Sequence, residues 1–336
     1  MRVSGSMGLL AGVLLAGTTW AAEPKVSGQV FGDYYWVVAS DAHSATAERQ
    51  NALQIRRMYL TADRDLSEAA AVRVRLEAND PGFANGRDAD RDRMNVYVKN
   101  AYLLWRKGLG PADVIVGMAG TPTWALSEEC WGYRSLEKTI MDLQKVGTPV
   151  DLGLGLKGTV GAPGALGQVA YFAMVSQGTG LRAEDDHGKK FALSLSALTP
   201  GKVRLEGYVD TNRRPHGHDQ TTVKAFIGAG SKAWRGGVEA FTRRNSNDGT
   251  GTDAGRDVTL RGVSAFGSLP VAAATRGFGR LDAVHNGATD HTDMLVIVGA
   301  DRQLAPGCHL MPNLYANLPD GLDPTLQARL TLDVVF

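Results

Sequence analysis

The residues in this chain with chemistry to offer are arginines and lysines that recur on one phase of short alternating stretches. They are Arg57, Arg73, Arg75, Lys99, Lys157, Arg204, Lys224, Arg261, Arg276, Arg280 and Arg329. Carboxylates stand on the same phase at Asp63, Glu77, Glu206, Asp210, Glu239, Asp282, Asp301 and Asp333, with basic residues in modest excess. A row of fixed cations makes and breaks no bonds. If it borders confined water between low-dielectric walls, it focuses a field that attracts and selects anions. Each arginine has a plainer role open to it, pairing with a wall carboxylate and holding shape. Bond-making groups are poorly placed. His43, His187, His216, His218, His285 and His291 fall in or beside polar connections, and only His309 lies within an alternating stretch. Ser194 and Ser196 share the charged phase but lie far along the chain from His309. A Ser–His or acid–His pair has to meet in space, so an enzyme stands only as an alternative. His216-Gly-His218-Asp219 has metal-ligand types, but on a loop such groups are ordinarily solvated. No metal, cofactor or catalytic residue is expected.

Alternation of this kind belongs to β-strands, whose successive side chains point to opposite faces. The clearest case is the C-terminal stretch Thr325 to Phe336. Leu326, Ala328, Leu330, Leu332, Val334 and Phe336 take one phase, and Thr325, Gln327, Arg329, Thr331 and Asp333 take the other. One side of such a strand meets something oily, the other something wet. The chain of 336 residues repeats the pattern throughout, and 41 glycines with 43% hydrophobic residues suit closely spaced strands between two solvents. A mean hydropathy of −0.16 excludes a helical membrane protein, and a formal charge of +1 gives no reason to expect nucleic acid. Residues 1–21 read as a secretory leader: Arg2, a short apolar run from Leu9 to Ala16, then Thr19 and Ala21 before the cut. That run is too short to span a bilayer as a helix. The two cysteines, Cys130 and Cys308, are expected to remain unpaired, the first in a long loop and the second near a tight turn.

The spacing predicts sixteen strands, from about Lys25–Val38 to the C-terminal stretch. Connections alternate between short ones with Gly and Pro, such as Thr199-Pro200-Gly201, and long polar ones, such as residues 245–255. Barrels inserted from the periplasm show this asymmetry. In hydrocarbon the sheet must close, because an open edge leaves unpaired amides. The expectation is therefore an all-β chain, a transmembrane antiparallel barrel over residues 22–336, in a Gram-negative outer membrane and in contact with its lipid. The second strand changes phase at Arg56-Arg57, which predicts a β-bulge there. In the twelfth strand Val258, Leu260, Gly262 and Phe266 are assigned to lipid, which places Arg261 in the lumen. Trp105, Trp234, Phe266 and Phe336 are predicted at the periplasmic belt and Trp36 at the other.

Sixteen strands enclose a lumen too wide for wall side chains to fill. The longest interruption, Thr121 to Pro149, carries Trp124, Trp131, Tyr133, Leu136, Ile140, Met141 and Leu143, with Leu136, Ile140 and Leu143 spaced for a short helix. An external loop would leave that apolar surface in water, so residues 121–150 are expected to fold inward as a constriction. They would bring Glu128, Glu129, Arg134, Glu137, Lys138, Asp142 and Lys145 to the pore, opposite the basic wall.

Around this loop the sequence resembles a family. V-I-V-G-M-A-G-T-P, R-S-L-E-K and T-P-V-D-L-G-L-G-L-K-G-T-V look like the constriction region of the phosphate-selective porin O/P family, through Gly117, Pro122, Glu137, Pro149, Asp151, Gly153 and Gly158. H-L-M-P-N at His309 to Asn313 is also similar. The resemblance implies a trimeric sixteen-stranded diffusion channel whose third outer loop folds inward. A basic residue that the family often has shortly before the proline is replaced here by Ala119-Gly120, and the chain is shorter than members that prefer phosphate. The expected function is passive diffusion of small hydrophilic solutes with mild anion preference. A ligand-specific transporter is the main alternative, but such barrels often carry an N-terminal plug, and here the first strand follows the leader almost at once.

Overall fold

A computed structural model describes residues 23–40, 48–79, 94–164, 167–231, 233–250 and 254–336, without the side chains of residues 162 and 163. The leader and His43 lie outside these residues. Sixteen strands form one closed barrel: β1 (Lys25–Ala39), β2 (Asn51–Asp65), β3 (Ala70–Asn79), β4 (Asn95–Leu109), β5 (Ala112–Gly120), β6 (Val150–Gly164), β7 (Gly167–Ser176), β8 (Lys190–Leu198), β9 (Val203–Asn212), β10 (Gln220–Gly230), β11 (Arg235–Asn245), β12 (Val258–Ala272), β13 (Thr275–Asn286), β14 (His291–Ala305), β15 (Cys308–Leu318) and β16 (Thr325–Val335). Each pairs antiparallel with the next in sequence, and β16 returns to β1. Closure extends to the last residue: Gly28 N–H donates to the Phe336 carbonyl at 2.7 Å, and Phe336 N–H to the Gly28 carbonyl at 3.0 Å.

The outward phase is apolar and bare. Val98, Leu103, Val116, Leu154, Leu195, Val238 and Leu330 are all exposed. A water-soluble domain does not present so much continuous apolar surface. A closed sheet with every strand paired is one of the two ways a backbone crosses hydrocarbon. Trp36 stands outward at the long-loop end, and Trp105, Trp234 and Phe336 at the short-turn end, which is where aromatic belts form.

Two local departures from alternation matter. In β2, Phe31 pairs with Arg57 and Gly32 with Ile55, so Arg56 is an extra residue on the bulged strand, as the phase change predicts. In β12 the predicted phase is wrong. Gly262 faces inward, since a side chain there would strike Phe241 and Ile140. Ser264 is buried, whereas Val263 is half exposed. Leu260 and Phe266 consequently point inward, and Arg261 points out of the barrel. The cause is that β12 is apolar on both faces: its inner face packs against the inserted loop, so the rule that the oilier phase meets lipid fails.

Candidate pore constriction

The loop between β5 and β6 lies inside the barrel. It contains two short helices, α1 (Ala125–Trp131) and α2 (Ile140–Leu143), in place of one helix through Leu136. Gly132 ends α1 in the left-handed region at φ 66°, its N–H returning to the Glu128 carbonyl. The apolar side chains fill two clusters against the inner wall. Trp131, Tyr133 and Leu136 pack on Phe278, Leu295, Ile297 and Met311. Trp124, Ile140, Met141 and Val146 pack on Phe241 and Val284. Helix α1 lies against β10 and β11, and α2 against β12. Cys130, on α1, and Cys308 are both free.

Polar contacts fix the loop segment between the helices from several sides. Arg56 pairs with Asp33 and donates to the Leu136 carbonyl at 2.9 Å and to the Ser135 carbonyl. Tyr315 OH donates to Glu137 Oε2 at 3.1 Å, Trp131 Nε1 to the Glu137 carbonyl at 3.0 Å, and Arg280 to the Lys138 carbonyl. Burial alone would push the Glu137 carboxyl up. The positive charges of Arg56 and Arg329, with Lys138 N–H and Arg280, outweigh it and hold Glu137 below the usual carboxylate range. Burial lowers the Lys138 ammonium, with Asp142 opposing.

The loop edge facing the open lumen carries Glu128, Arg134 and Lys138. Arg134 lies between Glu128 at 3.0 Å and Asp142 at 3.2 Å, and Lys138 is 3.9 Å from Asp142. The inner face from β2 to β7 is left uncovered. There Glu77 serves two cations, Arg57 at 3.0 Å and Lys99 at 2.5 Å. Arg73 pairs with Asp63 at 2.6 Å. Arg75 donates to Thr61 Oγ1 at 2.8 Å, and Lys157 lies 4.2 Å from the centre of the Phe172 ring; neither has an ion pair among the described residues. Tyr59 stands amid Arg57, Arg75 and Lys99.

The site residues expected from sequence thus separate by role. Arg57, Arg73, Arg75, Lys99 and Lys157 line the open wall, and Glu128, Arg134 and Lys138 the loop edge. Arg204 on β9 joins Glu129 at 2.6 Å and ties α1 to the wall. Arg276 faces inward towards the short-turn end and reaches the Ser268 carbonyl at 3.2 Å. Arg280, 3% exposed, is covered by packing, and the partly buried Glu137 accepts from Tyr315; both hold the loop. Arg261 does not face the lumen at all. Lys224 is buried against Glu206 at 2.6 Å. Sequence reasoning missed Arg56, whose signal was the bulge: an extra residue turns two successive side chains the same way. It also missed Arg243, which donates to the Lys145 carbonyl at 2.8 Å, and Arg235, over the Tyr133 ring at 4.5 Å. Ser194 donates to Glu206 on β9, and His309 sits against Asp301 at 2.7 Å on the far arc. Asp219, beside His218, is engaged by Arg213 at 2.6 Å.

No family model matches the chain, and no curated protein matches its sequence. Solved structures do match. An anion-selective porin from Comamonas acidovorans superposes with a TM-score of 0.68 at 12% identity, over 94% of this chain and 99% of that one. OmpT of Vibrio cholerae, an outer membrane protein folded in vitro in its trimer form, gives 0.61 at 12% identity, over 94% and 100%. The outer membrane channel DcaP of Acinetobacter baumannii gives 0.61 at 10% identity, over 93% and 97%. These likenesses show the fold: a porin-type transmembrane barrel of the kind found in Gram-negative outer membranes.

Proposed function

We propose that this chain forms a water-filled outer-membrane channel for passive diffusion of small hydrophilic solutes, with a mild preference for anions. The carrying observation is the uncovered inner face from β2 to β7. There Arg57, Arg73, Arg75, Lys99 and Lys157 face the lumen, and among the described residues only two carboxylates, Asp63 and Glu77, form ion pairs with them, Glu77 being divided between two cations. The loop opposite is close to internally neutralised by the Glu128–Arg134–Asp142 chain. Confinement then lets the wall's excess act on the permeant. Phosphate and related oxyanions are the candidate solutes, supported by the motif resemblance around residues 117–158. Barrels of this fold supply the support for a channel in preference to an enzyme. The trimer form of OmpT and the resemblance support a homotrimer, and the leader reading supports export with cleavage after Ala21.

The test is a planar bilayer carrying the purified protein across a potassium chloride gradient. A reversal potential of the sign set by chloride is expected; one set by potassium refutes the anion preference. Adding inorganic phosphate to one side then shows whether it competes with chloride for the passage. Mass measurement of the detergent-solubilised protein gives the oligomeric state.

A further inference from the structure

We infer that the outer face of β10–β14 holds a single phosphate-bearing acyl lipid of the outer leaflet, with its phosphate on Arg261. Arg261 is exposed on the lipid-facing phase, three residues into β12 from the long-loop end. It has no hydrogen bond or ion pair among the described residues. Strand pairing sets it in one row with Thr242, His285 and Thr292, across β11, β12, β13 and β14. His285 Nδ1 lies 3.3 Å from Thr292 Oγ1, and its Nε2 lies 3.7 Å from Asp290. A polar row that crosses four strands at one level, on the face given to hydrocarbon, needs a polar partner at that level. An unpaired arginine is tolerated near the interface, where it reaches the headgroups, and is costly deeper.

Below the row the wall is hollowed. Ala240 and Ala283 follow Thr242 and His285 on the outward phase, and Gly236, Gly267 and Gly279 align four strand positions further down. Where other arcs carry Leu, Ile or Phe outward, these small residues leave two shallow troughs of about 540 and 680 Å³. The upper trough includes Arg261 and the lower ends beside Trp234. The shape suits an acyl chain lying along the wall beneath a headgroup.

Charge selects the occupant. A second copy of this chain would have to neutralise Arg261, yet every carboxylate on a described strand stands on the inward phase, and the loop carboxylates Asp257 and Asp290 face Arg244 and His285 of their own chain. A lipid phosphate supplies the missing charge, and its chain fills the troughs. The inference requires the barrel to sit in a bilayer but not any selectivity of the pore.

Native mass spectrometry of the full mature protein in non-ionic detergent tests it, with bisphosphorylated lipid A and phosphatidylethanolamine as probes. Retention of one lipid A per chain in preference to phosphatidylethanolamine is expected. Arg261→Gln should weaken it about five-fold, the scale of losing one basic group at a charged lipid surface, and Ala283→Trp should weaken it by obstructing the upper trough. Circular dichroism and unchanged conductance establish that the variants fold. Equal retention of both lipids, or variants that retain lipid A as the parent does, would overturn the proposal. So would displacement of lipid A by an equal concentration of inorganic phosphate, which marks an ion site, or an Ala283→Cys disulfide between two copies, which marks a subunit interface.

Discussion

Two arginines one position apart in sequence do different work, and the bulge at β2 is the reason. Arg57 shares Glu77 with Lys99 on the open wall, while Arg56 is buried against Asp33 and the loop carbonyls. Removing one member of a buried pair strands its partner's charge, so Arg56→Met should cost about 3–5 kcal/mol in urea titration of the barrel in vesicles. The exposed Arg106–Asp65 pair is the control, and Arg106→Gln should cost less than about 1 kcal/mol. Arg75 and Lys157 have no ion pair within 4 Å among the described residues, although Asp113 faces Lys157 across the β5–β6 pairing. The double variant Arg75→Gln, Lys157→Gln should move the reversal potential toward zero while stability stays close to the parent's. An unchanged reversal potential would assign the selectivity elsewhere.

The inserted loop depends on wall residues from β2, β9 and the arc from β11 to β15. Trp131 lies in an aromatic cluster, 5.3 Å from Tyr133 and 5.4 Å from Phe266 between ring centres. Trp131→Ala should cost about 3–5 kcal/mol and give larger, noisier single-channel currents. Acid should loosen the same element through Glu137. Its folded pKa is depressed, so its contribution is present above the ordinary glutamate range and is lost as pH falls through the lower, folded value. Current noise is therefore expected to rise only below the pH at which a free glutamate protonates, and Glu137→Gln should show the noise at neutral pH. A parent channel that is quiet throughout acidification would remove this latch from the account.

Across the whole barrel, the outward phase is a solvent boundary. Leu195, near the middle of β8 and exposed, should cost about 2–4 kcal/mol when changed to Arg, measured by denaturant titration in lipid vesicles. Strand number, alternation, the bulge and the rhythm of short and long connections are all legible in the chain, because each is a local pattern of period two punctuated by turns. The interior site is only partly legible. Arg73, Arg75, Lys99 and Lys157 stand where alternation puts them, but alternation alone does not reveal that Arg280 lies under the loop. It misassigned Arg261 because β12 has apolar residues on both faces.

By itself the sequence determined a closed barrel between lipid and water, since a two-faced strand repeated sixteen times has no other way to satisfy its backbone in hydrocarbon. Which cations border the passage was decided only by the tertiary structure. That depends on where one inserted loop lays its tryptophans, and on which wall charges its packing covers; both are contacts between residues far apart in the chain, and no local spacing encodes them.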